Sequence, residues 1–167
     1  MPATVRAPEP AADDERGVLS GWLAFHRDAL AAKCDGLSPD RLVETAVPPS
    51  TLSLLGLVRH MTEMERVYGA YALGGPRGSL RLVYCTDDDP EADIEGIDAS
   101  MVGPSMAAWQ AERASVDELL AAAALDDPAV GNRRSVRWNV AKLLQEYARH
   151  NGHADLIRQA IDGAVGE

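Results

Sequence analysis

Apolar residues recur at intervals of three and four positions along four stretches of the chain, the spacing that lines one face of an α-helix. Three of the predicted helices cover residues 14–34, 52–73 and 135–161, and the remaining one lies between Gly103-Pro104 and Asp126-Asp127-Pro128. We expect the first, second and fourth helices to end at Gly36, Gly74-Gly75 and Gly163, respectively. After the Pro48-Pro49 breaker, Ser50 or Thr51 is the expected N-cap of the second helix.

The connection between the second and third helices, about residues 74–100, is long and acidic (TDDDPEADIEGID). A link of this length predicts a connection that crosses the bundle rather than a simple helical hairpin. Within it, residues 80–85 (LRLVYC) indicate a short strand-like stretch.

Residues 1–13 are rich in Pro and Ala without periodicity and predict a flexible lead. The expected fold class is all-α, with one four-helix bundle over residues 14–167.

Composition narrows the classes of function. The chain has 167 residues, of which 46% are apolar and only 5% aromatic, a balance that favours one helical domain. A net charge of −10 without a basic stripe argues against nucleic-acid binding. No apolar run approaches the length of a membrane span, and the N-terminal segment lacks the apolar core of a signal peptide. A cytoplasmic protein with Cys34 and Cys85 reduced is therefore expected, with no nucleic-acid or membrane partner.

The fourth helix carries two ionisable residues on its apolar face. At about 100° per residue, Glu146 and His150 fall in the same inward stripe as Leu143, Ile157 and Ile161. Burying a carboxylate is costly unless it is paired or bound to a cation. A Glu/His pair four positions apart directs both head groups to one point, which is the geometry that a divalent metal requires.

His60 supplies a matching donor from the second helix, where it shares a stripe with Leu57, Met64, Val67 and Tyr71. Two imidazole nitrogens and one carboxylate oxygen form a set that suits Zn²⁺, Ni²⁺ or Fe²⁺ and leaves positions for water and substrate. The predicted metal ligands are therefore His60, Glu146 and His150, and zinc is the expected metal.

The same residues also fit a site without metal. A histidine on an apolar face is more often a core residue than a ligand, and Glu146 and His150 can form a simple hydrogen bond across one helical turn. His153 either supports the ligands from outside the coordination sphere or covers the edge of the stripe. The acidic triplet Asp87-Asp88-Asp89 lacks EF-hand spacing and is expected to be a solvated loop.

The segments TLSLLGLVRHMTEMERVY and SVRWNVAKLLQEYARHNGHADLIRQAIDG resemble the DinB-like superfamily, in its largely actinobacterial mini-circle-protein branch. The resemblance implies an up-down-down-up bundle with a long crossover between helices two and three. Many relatives combine a His on helix two with a His-x-x-x-His pair on the last helix, whereas this chain has Glu146 at the first position of the pair. Its pattern is similar to the metal-binding domain of mycothiol-dependent maleylpyruvate isomerase, which uses a His, Glu, His set.

The resemblance implies that His60, Glu146 and His150 carry over as ligands in a metal-dependent thiol transferase. Mycothiol would be the cosubstrate and a small electrophile the other partner, with the metal lowering the pKa of the thiol. Two alternatives stay open: a non-catalytic metal-binding or stress-associated bundle, and a metal-dependent hydrolase. A homodimer is also expected from the resemblance.

Six residues are interpreted as neighbours of the substrate pocket. Met64, Tyr68, Trp138 and Tyr147 are placed near it, with core packing as the alternative role of each. Arg59 and Arg149 flank predicted ligands and are interpreted as contacts for a substrate carboxylate, with a solvated helix face as the alternative for each.

Overall fold

The computed structural model describes residues 5–11, 14–74 and 80–166. Its helices are α1 (Glu15–Cys34), the short α2 (Pro39–Leu42), α3 (Leu54–Met64), the one-turn α4 (Ala72–Gly74), α5 (Val102–Ala122) and α6 (Val136–Asp162). A π-helical segment (Glu65–Tyr71) joins α3 to α4, and a 3₁₀ turn (Ala99–Met101) precedes α5. No strand is formed within the described ranges, so the predicted all-helical fold class is confirmed.

The ends of the helices follow local capping chemistry. Asp14 caps α1 by accepting a hydrogen bond from the backbone N–H of Gly17, and Ser135 caps α6 in the same way. Gly163 ends α6 in the left-handed conformation, with a φ of 80° that favours glycine. The predicted N-cap of α3 was wrong: Ser53, rather than Ser50 or Thr51, accepts the hydrogen bond from Gly56 at 3.1 Å.

The π-helical segment changes the face that the second long helix buries. A π turn contains more residues than an α turn, so side chains beyond it lose the predicted α-helical register. Glu65 and Gly69 are buried there, whereas Val67 and Tyr71, predicted to lie in the inward stripe, are only half-buried. The predicted inward stripe is therefore fully buried at Leu57 and only half-buried at His60, Met64, Val67 and Tyr71.

The strand-like stretch predicted at residues 80–85 was also wrong. The backbone N–H groups of Val83, Tyr84 and Cys85 donate to the carboxylate of Glu63, at 2.9, 2.6 and 3.1 Å, rather than to a neighbouring strand. A buried side chain thus takes the place of a sheet partner, and it fixes this part of the connection to α3.

Helix packing brings the predicted ligands together. Helix α1 packs on α6, and α3 packs on both α5 and α6. Apolar side chains from all of the long helices form the core, including Leu23, Leu30, Leu54, Leu57, Met61, Trp109, Val116, Leu143 and Ile157. No helix in the described part of the chain is long and apolar enough to cross a membrane.

A charged network lies inside this core. Arg27 of α1 donates two hydrogen bonds to the carboxylate of Glu65, at 2.7 and 2.6 Å, and both residues are almost fully buried. Tyr147 donates to the same carboxylate at 2.6 Å and accepts a bond from Trp109 Nε1 at 2.8 Å. The network therefore links α1, the π-helical segment, α5 and α6 through hydrogen bonds between buried side chains.

The predicted lead, residues 1–13, lies partly outside the described residues. Within residues 5–11, the backbone N–H of Ala7 donates to Asp28 Oδ2 of α1 at 3.1 Å. The predicted helix stop at Gly75 also lies outside the described residues, and α4 ends at Gly74.

Candidate metal centre

The three predicted ligands converge between α3 and α6. One donor atom from each of His60, Glu146 and His150 lies within 4.8 Å of the other two. Glu146 and His150 are both 8% exposed, on the buried stripe of α6 that includes Leu143 and Ile157. The amphipathic pattern of α6 thus placed its two ionisable residues correctly, and α3 brings His60 to face them.

The spacing of these donors fits a small divalent cation. His150 Nε2 lies 3.5 Å from Glu146 Oε2, while two donors each about 2.1 Å from a tetrahedral zinc ion lie about 3.4 Å apart. The His60 and His150 rings lie 4.7 Å apart between centroids, inclined at 56°. Two nitrogens and one oxygen form an open three-residue set of the kind that catalytic zinc sites use.

The structure adds Asp93 to the candidate site. Its carboxylate Oδ2 lies 2.8 Å from His60 Nδ1 and is 33 positions away in sequence. Burial alone raises the pKa of Asp93, but hydrogen bonds from His60 and Cys85 outweigh it and hold the pKa below its usual value. An ionised Asp93 accepts the Nδ1 proton, so the lone pair of His60 stays on Nε2 for a metal.

Two residues of α3 hold Asp93 in place. Arg59 donates to the backbone carbonyls of Ala92 at 2.6 Å and Asp93 at 3.2 Å, and its guanidinium lies 3.8 Å from the centre of the Tyr84 ring. Glu63, one helical turn later, accepts the three N–H bonds of residues 83–85 described above. The interpretation of Arg59 as a solvated residue was wrong, because it is buried by the connection, whereas Arg149 is exposed on α6 as that interpretation predicts. A contact of either residue with a substrate carboxylate stays a prediction.

Lys142 sets the charge of Glu146. Burial raises the pKa of Glu146, but the Lys142 ammonium, which contacts Oε1 from one turn earlier on α6, more than compensates, so the pKa is lowered. The carboxylate therefore stays ionised near neutral pH, as a metal ligand must be.

Burial keeps His150 neutral. Its pKa is lowered to about 4, first by burial and then by the neighbouring His60 and His153. His153 Nδ1 lies 3.3 Å from His150 Nδ1. If His150 Nδ1 carries the proton and donates it to His153, the lone pair of His150 is left on Nε2, on the side of Glu146.

A cleft of about 990 Å³ opens beside His60. One wall is the face of α3 and its π-helical continuation, and the other is the connection over residues 80–93. Of the three predicted ligands, His60 alone is among the described residues that line it. The cleft therefore reaches the donor cluster from the α3 side.

The residues interpreted as pocket neighbours have different positions. Met64 lines the cleft. Tyr147 is fully buried in the core network, so its alternative role, core packing, is confirmed. Tyr68 and Trp138 pack edge to face with ring centroids 6.2 Å apart, outside the cleft lining. The triplet at residues 87–89 is exposed, as predicted for a solvated loop.

Comparison with known proteins identifies the family. Residues 18–163 match the family model described as Mycothiol-S-transferase. The chain belongs to the mycothiol S-transferase family. This family is part of the DinB-like superfamily, so the resemblance seen in the helix sequences is confirmed. No curated protein gives a significant match to the chain.

Proposed function

We propose that this family member is a divalent-metal-dependent S-transferase that joins a mycothiol-type thiol to a small electrophile. The observation that carries the proposal is the convergence of His60, Glu146 and His150 beside an open cleft. Membership of the mycothiol S-transferase family supports the choice of thiol. A zinc ion held by these residues would supply a Lewis acid that lowers the pKa of a bound thiol.

The protein's own residues prepare the site for that chemistry. Asp93 orients the His60 ring and directs Nε2 away from the connection. Lys142 keeps Glu146 ionised, and burial keeps His150 neutral, so these two donors are in the protonation state that a cation requires. Helices α3 and α6 are packed on the same core, which fixes the separation of the donors.

We also propose that the four long helical segments follow the up-down-down-up order of the DinB-like bundles. The long connection between α4 and α5 supports this order, because a link of this length can cross the bundle.

A thiol-transfer assay tests the proposed function. Zinc-loaded protein is expected to accelerate conjugation of mycothiol to monobromobimane above the uncatalysed rate, and a chelator should abolish the acceleration. Glutathione in place of mycothiol serves as the control for thiol selectivity. Ester or amide hydrolysis without any thiol would instead favour a hydrolase, and metal binding without turnover would favour a non-catalytic bundle.

Asp93→Asn is expected to weaken zinc binding by about 10- to 100-fold, because the loss of an outer partner of a ligating histidine has effects of this size. The variant keeps the shape of the side chain but loses the charge that fixes the His60 tautomer. Competition with a fluorescent chelator measures the affinity.

Cys85→Ala is the matched control, since it removes the other donor to Asp93 and leaves the His60 contact intact. Its affinity for zinc should stay close to that of the parent protein. Equal affinity in the parent and in Asp93→Asn would contradict the orienting role of Asp93.

A further inference from the structure

We propose that the cleft between α3 and the 80–93 connection binds the apolar body of the electrophile. This inference rests on the proposed function and adds the chemical class of the second substrate.

Both walls of the cleft carry apolar side chains, and the wall formed by the connection also carries the exposed polar residues Arg81, Thr86 and Asp87. On the helical wall, Met64 and Val67 follow His60 at successive turns. On the opposite wall, Leu80 and Leu82 face the cleft and are 39% and 38% exposed. Neither leucine belongs to the buried core clusters, so their apolar surface is available to a ligand.

The polar groups deep in the cleft already have partners. The carboxylate of Glu63 accepts three backbone N–H bonds, and Asp93 is held by His60 and Cys85. Burial raises the pKa of Cys85 to about 11, so its thiol stays protonated and is a poor nucleophile. Next to these satisfied groups, a ligand therefore gains most from contact with the methyl and methylene groups of Met64, Val67, Leu80 and Leu82, which favours a molecule with an apolar body.

The position of the cleft fits a second substrate better than the thiol. Ligand pockets commonly have volumes of roughly 300–1,000 Å³, and this cleft, at about 990 Å³, admits a small molecule with room for an extended tail. His60 belongs both to the cleft wall and to the donor cluster. An electrophile whose tail lies between the leucines and Met64 can thus present its reactive carbon toward a thiol held at the cluster.

A series of N-alkyl chloroacetamides tests this inference, because the reactive carbon stays the same while the apolar tail grows from methyl to hexyl. In each reaction the thiol sulfur forms a bond to the chloromethyl carbon, chloride leaves with the bonding electron pair, and the thiol proton passes to solvent. For the zinc-loaded protein with mycothiol, kcat/KM is expected to rise about two- to fourfold per added methylene.

The double variant Leu80→Ser/Leu82→Ser should flatten this dependence, mainly through KM. Leu156→Ser is the matched control: Leu156 is 59% exposed on α6 and outside the cleft lining. The control should keep the full dependence on tail length. An equally steep dependence in the double variant, or none in the parent, would overturn the assignment.

Binding of unreactive N-hexylacetamide, followed by isothermal titration, separates the two proposals. Weaker binding by the double variant than by Leu156→Ser, without turnover in any protein, would support the cleft and reject the transferase. Turnover that does not depend on tail length, with no binding of N-hexylacetamide, would support the transferase and reject the cleft.

Discussion

Replacing His150 by alanine is expected to lower the affinity for zinc by at least about a hundredfold and to abolish thiol transfer. The loss should exceed the 10- to 100-fold effect typical of outer partners, because a direct ligand is removed. Only His60 and Glu146 would remain, and two donors hold a divalent ion poorly. Metal content after dialysis and kcat/KM with monobromobimane measure the two effects.

His153→Ala is the matched control for this experiment. His153 contacts His150 at 3.3 Å but is not one of the three converging donors. Its removal should lower the affinity less than the removal of His150 and leave measurable turnover. Stoichiometric zinc in His150→Ala, or an equal loss in both variants, would contradict the proposed ligand set.

Glu65→Ala is expected to lower the free energy of unfolding by about 3–5 kcal/mol, the range seen when one partner of a buried ion pair is removed. Arg27 would stay charged at 2% exposure with only the exposed Asp117 as a carboxylate partner, and the hydroxyl of Tyr147 would lose its acceptor. Urea unfolding followed by far-ultraviolet circular dichroism measures the change.

Two further variants show whether the loss of the buried Glu65 charge, which leaves Arg27 with Asp117 alone, causes the effect. Arg27→Met/Glu65→Leu replaces both charges by apolar groups and should recover much of the lost stability, since such replacements of buried pairs are often neutral. Arg137→Ala, which breaks exposed ion pairs with Glu15 and Asp126, should change stability little. A double variant as unstable as Glu65→Ala would show that packing, rather than charge, explains the loss.

Local sequence signals were sufficient for most of the helix limits and for the faces of α6. The caps at Ser135 and Gly163 act within one turn of the chain, so the sequence predicts them directly. Glu146 and His150 share a face because they are four positions apart, whatever the rest of the fold does. Lys142 also stands one turn before Glu146, so its contact could have been predicted from spacing alone.

The second long helix shows where such signals fail. Its cap at Ser53 competes with two nearby residues of similar chemistry, and only the backbone path selects one of them. The π-helical segment shifts the buried face to Glu65 and Gly69. Glu65, which this shift buries, forms a bidentate ion pair with Arg27 of α1. The helical spacing of residues in the sequence does not predict such a contact, because it joins two helices that are distant along the chain.

The sequence by itself determined an all-helical chain, two ionisable residues on the buried face of α6 and a histidine on the second long helix. These features follow from residue type and from a helical period that operates over a few positions. Only the tertiary structure decided that Asp93 meets His60 and that Arg59 and Glu63 hold the connection. Those contacts join residues that are 20 or more positions apart through an irregular segment, whose path depends on the packing of the whole molecule.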